Sequence, residues 1–202
     1  MIKKILLSIV IISLSGCNTL RSVGLMENIK TSYPLDACLM LKENPDWKES
    51  LQRSHKKWKT PISIQLAIIK QESNFMYKAR PINYNRKWFW ENKYLSSAYG
   101  FAQAIDGTWN DYLRETKNYN AKRTRFSDAV DFVGWYTNKS NTYLSIPLTN
   151  SRHLYYSYHE GYGGYKRKTY LRKRFLINAA KKVEKNAILY SKQINTCRLY
   201  KN

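Results

Sequence analysis

Glu72 is the residue of this sequence best placed for acid–base chemistry. It ends a segment that begins after Pro61 and carries Ile62, Leu66 and Ile69 at helical spacing. Counted from Leu66, position 69 is i+3 and position 72 is i+6, so Glu72 lies on or beside the apolar stripe. Burial at such an edge raises the pKa of a carboxyl group, which then holds a proton near neutral pH. Such an acid can protonate a leaving oxygen.

Position alone favours a glutamate that caps a helix or forms a salt bridge, so the surrounding motifs matter. Four segments follow in order: 72–75 (ESNF), 97–103 (SAYGFAQ), 158–161 (YHEG) and 189–192 (LYSK). Together they resemble lytic transglycosylases of the soluble lytic murein transglycosylase type, in the goose-lysozyme branch of the lysozyme superfamily. That family shows Glu-Ser, a Gly-Leu-Met-Gln-like segment, Tyr-Asn-x-Gly and a tyrosine in the closing helix. This sequence departs from the pattern at Phe101 and Ala102, and at His159 in place of the asparagine.

The resemblance, which covers about residues 60–196, implies an activity on peptidoglycan. Glu72 would protonate the oxygen of the β-1,4 bond between N-acetylmuramic acid and N-acetylglucosamine, while the substrate's acetamido group supports the positive charge. Deprotonated Glu72 would then accept the proton of the muramyl C6 hydroxyl, which closes a 1,6-anhydro ring. One protein carboxyl suffices for such substrate-assisted chemistry. Other acidic residues match no motif position and are expected on the surface or at helix caps: Asp106, Asp111, Asp128, Asp131 and Glu160.

The resemblance also implies which residues bind substrate beside Glu72. Ser73 would hydrogen-bond the glycan or its lactyl group, and Gln103 would bind an N-acetyl group. Gly100, which has no Cβ, would let the backbone approach the sugar closely.

Three residues of the last two motifs complete the predicted site. Tyr158 would line the cleft, although core packing accounts for it equally well. His159 would donate a hydrogen bond in place of the family's asparagine, with a pH dependence that asparagine lacks. Tyr190 would hydrogen-bond Glu72 and fix its orientation. Aromatic residues between the first two motifs are either sugar-stacking surfaces or a hydrophobic plug under a loop: Trp88, Phe89, Trp90 and Tyr94.

Two other functions fit the same motifs. A muramidase of the same fold would use water, and a catalytically silent peptidoglycan-binding lipoprotein would not cleave at all. Neither a metal nor a cofactor is expected, because the three histidines show no metal-ligand spacing and there is no glycine-rich phosphate loop.

Charge implies an anionic partner. Lys and Arg exceed Asp and Glu by 35 to 14, for a net charge of +21. Basic runs at 166–168 and 172–174, interleaved with Tyr165 and Tyr170, could suit nucleic acid, although a solvated basic face is the usual explanation. The predicted export of the chain argues against that partner and favours peptidoglycan, whose stem peptides carry carboxylates, and anionic lipid A surfaces. With 14% aromatic residues, the chain is also too rich in core-forming side chains to be intrinsically disordered.

The N-terminus predicts that export. Lys3 and Lys4 precede an apolar run at 5–14, which is too short to span a membrane and has the length of a signal-peptide core. The run ends in Leu-Ser-Gly-Cys at 14–17, which resembles a bacterial lipobox with Cys17 as the lipidated residue. The alternative is a buried helix with an ordinary cysteine. Asn18 rather than Asp after that cysteine suggests the outer membrane. We therefore expect a lipid-anchored monomer facing the periplasm.

Export also bears on the pairing of the other two cysteines. Cys38 and Cys197 form an even pair in an oxidising compartment, which predicts a disulfide, although two unrelated buried thiols are the alternative.

Hydrophobic periodicity predicts a mainly α, lysozyme-like single domain. Helical stripes occupy about 61–72, 101–113, 127–136, 150–161 and 171–194. Thr60 is the predicted N-cap of the first of these helices. The last helix is predicted to bury one side, formed by Phe175, Ala179, Val183, Ala187 and Tyr190. Residues 77–98 are predicted to be irregular or slightly β. The expected organisation is a signal peptide at 1–16, a lipidated tether at 17–34 and the domain at 35–202.

Overall fold

The computed structural model describes residues 36–85, 87–88, 90 and 92–197. The predicted signal peptide, Cys17 and the tether lie outside these residues. Seven α-helices occur in the described part: α1 Ala37–Glu43, α2 Pro45–Trp58, α3 Ile62–Ser73, α4 Asp106–Thr116, α5 Phe126–Leu144, α6 Ser151–Lys166 and α7 Arg174–Thr196. A 3₁₀ helix at Thr169–Arg172 joins the last two. The predicted mainly α class is confirmed.

Helix α3 is the centre of this arrangement and carries Glu72 in its last turn. Its residues from Ser63 to Ile69 are all buried, and the helix packs against α2, α5 and α7. A helix whose apolar residues face every direction must be surrounded by other elements, since no side of it can face water favourably. Helices α2, α5 and α7 therefore form a shell around α3.

The start of α3 differs from the prediction that Thr60 is its N-cap. Pro61 occupies the cap position, and no side chain caps the helix. Thr60 is fully buried, with its hydroxyl oxygen 2.7 Å from that of Thr137 in α5, and its carbonyl accepts a hydrogen bond of 2.9 Å from Gln65 Nε2. The threonine thus joins two helices instead of capping one.

Helix α6 continues past the glycine at which the sequence predicts its end. Asn150 caps its start by accepting a hydrogen bond from the His153 amide. At Gly161 the backbone takes φ 71° and ψ 166°, a conformation open to glycine, and the helix resumes on the other side of this kink.

Helix α7 is rotated relative to its predicted buried side. The structure buries Leu176 and Ala180, whereas Phe175 is 63% exposed. Val183, Ala187 and Tyr190 are buried as predicted. The first two turns of α7 therefore present a different side to the core.

The segment from 77 to 98 contains a short antiparallel pairing, as the prediction of slight β structure allows. Ile82 bridges Tyr94, and hydrogen bonds of 2.9 Å run from the Asn83 amide to the Lys93 carbonyl and from the Leu95 amide to the Pro81 carbonyl. This hairpin follows α3 and precedes the loop that leads to α4.

The predicted disulfide between Cys38 and Cys197 is present, with the two Cα atoms 5.7 Å apart. It joins α1 to the end of α7, so that the first and last described helices are covalently linked. None of the described helices combines the length and the apolar character that crossing a bilayer requires.

Close packing of α2 against α5 gives a test of the fold. A Cβ atom added at Gly134 would lie 2.5 Å from Ser54 Oγ and 2.6 Å from the Trp58 ring, whereas one at Gly107 in α4 would meet nothing within 4 Å. We expect Gly134→Ala to lower the free energy of unfolding by about 1–3 kcal/mol, because the helices must separate. Gly107→Ala should raise it by up to about 1 kcal/mol, since alanine favours helix. Urea unfolding measures both, and equal effects would contradict the packing described.

Candidate active site

A groove of about 440 Å³ opens beside the end of α3, within the range of ~300–1,000 Å³ that small-ligand sites occupy. Its lining comes from the hairpin and the loop after it, and from helices α3, α4, α5 and α6. The residues are Glu72, Pro81, Ser96, Ala98, Gln103, Ala104, Ile105, Thr108, Phe132, Tyr136, Tyr158, His159, Glu160 and Gly161. Four predicted site residues are thus brought together: Glu72, Gln103, Tyr158 and His159.

Glu72 reaches the groove because α3 ends directly after it. Asn74 and Phe75 both take left-handed backbone angles, and the Asn74 amide closes the helix on the Lys70 carbonyl at 2.9 Å. The Glu72 side chain is partly exposed to the groove. Desolvation raises its pKa from the usual 4.5 to about 7, against the opposing effect of a hydrogen bond from the Tyr155 hydroxyl. Its carboxyl group is therefore poised to give up and regain a proton near neutral pH.

Two tyrosines of α6 lie against this carboxyl group. The Tyr155 hydroxyl is hydrogen-bonded to Glu72, and burial followed by the Glu72 charge raises its pKa. Tyr158 donates its hydroxyl to the Ala102 carbonyl at 2.6 Å, and its pKa is also raised by burial and then by Glu72. Sequence reasoning missed Tyr155. Its position three residues before Tyr158, on the same side of one helix, was the available signal.

Gln103 and Gly100 belong to the loop between the hairpin and α4. Gln103 Nε2 donates to the carbonyls of Ala79 at 2.9 Å and Gly100 at 2.8 Å, which leaves Oε1 as the remaining polar atom of its amide. Gly100 has φ 77°, and a Cβ atom there would lie 2.1 Å from the Arg123 carbonyl oxygen. The close approach that Gly100 permits in the structure is to Arg123, and Gly100 is not among the groove's lining residues.

Ser73 and Tyr190 also lie outside the lining. The buried Ser73 hydroxyl donates to the Ile69 carbonyl at 3.2 Å, within its own helix. Tyr190 is fully buried, and the Lys70 ammonium lies 5.7 Å from the centre of its ring. The roles that the resemblance implies for these two residues stay predictions; the tyrosine whose bond to Glu72 is described is Tyr155.

Glu160 was predicted to lie on the surface or to cap a helix, and this prediction is wrong. Its side chain is 3% exposed and lines the groove. It accepts hydrogen bonds from Lys173 Nζ at 2.7 Å and from the Thr169 hydroxyl, and its Oε1 lies 3.1 Å from His159 Nδ1. Desolvation would raise its pKa, but these bonds outweigh it and lower the pKa to about 2. The groove therefore contains an ionised carboxylate besides Glu72.

These two carboxyl groups have opposite environments in one groove. Glu72 is desolvated with one hydroxyl partner, whereas Glu160 is held by an ammonium group and two further partners. Carboxyl groups whose pKa values are driven apart in this way are typical of acid–base sites, where one must carry the proton. Glu72 is the one that does so near neutral pH.

The described aromatic residues of the hairpin, Trp88, Trp90 and Tyr94, are exposed to solvent and are not packed beneath the loop. The rings of Trp88 and Trp90 stack 5.0 Å apart at 7°, with more than half of each residue exposed. Phe89 lies outside the described residues. Tyr94 is partly covered by the Arg80 guanidinium, 4.8 Å from its ring centre.

The two carboxyl groups should affect stability with opposite signs. The raised pKa of Glu72 makes its contribution most favourable below pH 4.5 and unfavourable above about 7. Glu72→Gln should therefore become more stable than the wild type by about 1–3 kcal/mol as pH rises through this interval. Glu160 has a lowered pKa, so its contribution is complete above 4.5 and lost as pH falls towards 2.

Glu160→Gln should accordingly be less stable than the wild type at pH 5–8, by about 1–3 kcal/mol, because Lys173 loses its partner. Urea unfolding at a series of pH values measures both differences. If the two variants change stability in the same direction at pH 8, the electrostatic description of the groove is wrong.

Compared with models of known protein families, residues 5–197 match the family described as "Transglycosylase SLT domain". This range includes all four segments on which the resemblance rests. No curated protein and no solved structure matches the chain.

Proposed function

The chain belongs to the transglycosylase SLT domain family, whose members are lytic transglycosylases acting on peptidoglycan, and we propose that it cleaves the glycan strand without water. The bond would be the β-1,4 link between N-acetylmuramic acid and N-acetylglucosamine, and the product would carry a 1,6-anhydromuramyl end. Such an enzyme is a carbon–oxygen lyase. The observation that carries the proposal is the desolvated Glu72 carboxyl group in the groove, with a pKa of about 7.

The first step is proton transfer from Glu72 to the glycosidic oxygen. With a pKa of about 7, about half of the molecules hold this proton at neutral pH, whereas a solvated glutamate would be almost fully ionised. The C1–O4 bond breaks as the proton moves, and the acetamido carbonyl of the muramyl residue supports the positive charge at C1. Gln103 Oε1 is the atom we propose for binding an N-acetyl N–H group in the groove.

The second step returns the proton. Glu72, now a carboxylate, accepts the proton of the muramyl C6 hydroxyl while that oxygen bonds to C1 and closes the anhydro ring. The Tyr155 hydroxyl donates to the carboxylate and stabilises it between the two steps. Glu72 ends the cycle protonated, so no water and no second proton donor is consumed.

Glu160 is poorly suited to act as a second acid or nucleophile. Both of its oxygens are engaged by Lys173, Thr169 and His159, and its low pKa keeps it ionised. We propose that it holds His159, whose ring also lies 5.7 Å from that of Phe175, in position at the groove. The exposed His159 would then offer its other ring nitrogen to the glycan.

We further propose that the enzyme is exported and anchored through lipid on Cys17 to the periplasmic face of the outer membrane. The lipobox-like residues 14–17 and the disulfide, which suits an oxidising compartment, support this location.

Product analysis tests the reaction. Purified sacculi digested with the wild-type protein should release muropeptides with 1,6-anhydromuramyl ends, identified by mass spectrometry. Glu72→Gln should reduce their release by about 10²–10⁴-fold, because general acid catalysis is lost. Glu43→Gln, an exposed residue of α1, is the matched control and should be fully active.

Two results would overturn this proposal. Reducing muramic acid ends would make the protein a hydrolytic muramidase, since water would have replaced the C6 hydroxyl. Binding of wild-type protein to sacculi without any release of muropeptides would make it a non-catalytic lipoprotein.

The hydrogen bond from Tyr155 predicts a shift in the pH profile. Because this bond lowers the pKa of Glu72, Tyr155→Phe should raise that pKa. The alkaline limb of kcat/KM, where Glu72 loses its proton, should therefore move to higher pH. Tyr119→Phe, at an exposed site in the loop after α4, should leave the limb where it is. An unshifted or acid-shifted limb in Tyr155→Phe would show that Tyr155 does not stabilise the Glu72 carboxylate.

A further inference from the structure

The outer side of α7 and the turn before it form a continuous cationic surface. Exposed lysines and arginines follow one another along it: Lys166, Arg167, Lys168, Arg172, Arg174, Lys181, Lys182, Lys185 and Lys192. Glu184 is the only acidic residue between 166 and 197, and it is paired with Arg152. Among the described residues, none of the nine cations forms an ion pair. We call these nine residues, with the exposed apolar residues among them, the α7 face.

Exposed apolar side chains lie within the α7 face. Leu171 is 61% exposed, Phe175 63% and Ile188 54%. Ile188 follows Lys181 and Lys185 at helical spacing, so it lies in the same stripe as these lysines. The α7 face therefore combines cations with large apolar side chains, the two kinds of group that an anionic lipid surface binds.

We propose that the α7 face docks on the surface of an anionic phospholipid bilayer. A helix with a basic outer side and a few large apolar groups binds this kind of surface, with the cations at the headgroups and the apolar groups at the acyl boundary. Each lysine or arginine near an anionic leaflet adds to the attraction. Peptidoglycan is also anionic, but its hydrated strands offer no apolar layer for Leu171 and Ile188. Leu171 and Ile188 therefore favour a bilayer over peptidoglycan as the partner of the α7 face.

The covalent structure agrees with this arrangement. Helix α7 has 23 residues and is about 34 Å long, and the disulfide links its C-terminal end to α1. The chain that precedes α1 contains the predicted lipid site and tether. A lipid anchor acting through that end, together with the α7 face, would hold the helix along the bilayer. The N-terminal end of α7 lies at the groove, because the Phe175 ring is 5.7 Å from that of His159. Docking would thus fix the groove relative to the membrane without taking part in the reaction.

Vesicle binding by the unlipidated full chain tests the proposal. Cys17→Ser removes the lipid site and is the background for every variant. Co-sedimentation compares vesicles of phosphatidylcholine alone with vesicles containing about one-third phosphatidylglycerol. The leader, with Lys3 and Lys4, is the same in every variant, so a change in anionic preference between variants reports the domain. That preference should weaken as ionic strength rises.

A pair of charge-matched variants locates the surface. Lys181→Glu with Lys185→Glu should reduce the preference for anionic vesicles by roughly 30-fold or more. Lys56→Glu with Lys59→Glu changes the net charge equally at exposed sites at the end of α2 and should reduce it much less. Ile188→Ser should weaken the binding that persists at high salt. Circular dichroism confirms that each variant is folded, and muropeptide release from sacculi in solution should be unchanged in all of them.

Three outcomes would refute membrane docking. Equal loss in the α7 and α2 variants would mean that only net charge matters. Loss of binding to sacculi but not to vesicles in the α7 variant would identify the face as a peptidoglycan surface. No preference for anionic vesicles in the parent protein would remove the basis of the proposal altogether. None of these results depends on whether the groove forms anhydro ends.

Discussion

The removal of the Glu72 carboxyl group from bulk water is the interaction on which the rest of the structure depends. A solvated glutamate is ionised near neutral pH, and only burial keeps a proton on it there. Burial at the end of a helix requires that the helix itself be enclosed, and α3 is enclosed by α2, α5 and α7. The unfavourable desolvation of one acid is offset by the apolar contacts of the rest of α3. The same shell brings Tyr155 and Tyr158 to the carboxyl group from α6.

The groove contains a second carboxylate, Glu160, whose pKa is shifted in the opposite direction. The Glu160 side chain is only 3% exposed, yet its pKa is lowered, because Lys173 and Thr169 supply the partners that water would otherwise provide. Burial alone therefore does not decide which acid carries the proton. The partners decide it, and they come from the 3₁₀ helix and the segment before α7, which meet α6 just beyond its kink at Gly161.

Several elements of this site were predictable from sequence because their signals are local. The apolar stripe before Glu72 and the cysteine pair each depend on residue type and spacing. The partners of Glu160 and the bond from Tyr155 to Glu72 depend on how α6 packs against other helices, which no local pattern records. The prediction of which side of α7 is buried was wrong for another reason. Phe175 and Leu176 are both large apolar residues, adjacent in sequence, and periodicity alone cannot say which of two neighbouring stripes is buried. Helix α2 was not predicted, because its apolar residues at helical spacing, Trp47, Leu51 and Trp58, are few among charged neighbours.

The disulfide has a consequence for when the molecule becomes fully stable. Cys197 follows the last helix, so the bond to Cys38 can form only after α7 has been synthesised and both thiols have met an oxidant. A chain still in a reducing compartment lacks this clamp on its first and last helices. Its unfolded ensemble is then unrestricted by the crosslink, which lowers its stability relative to the oxidised form. Under the proposed export, the fold would become fully stable only in the oxidising compartment, and the cell-wall-degrading activity would reach full strength only there.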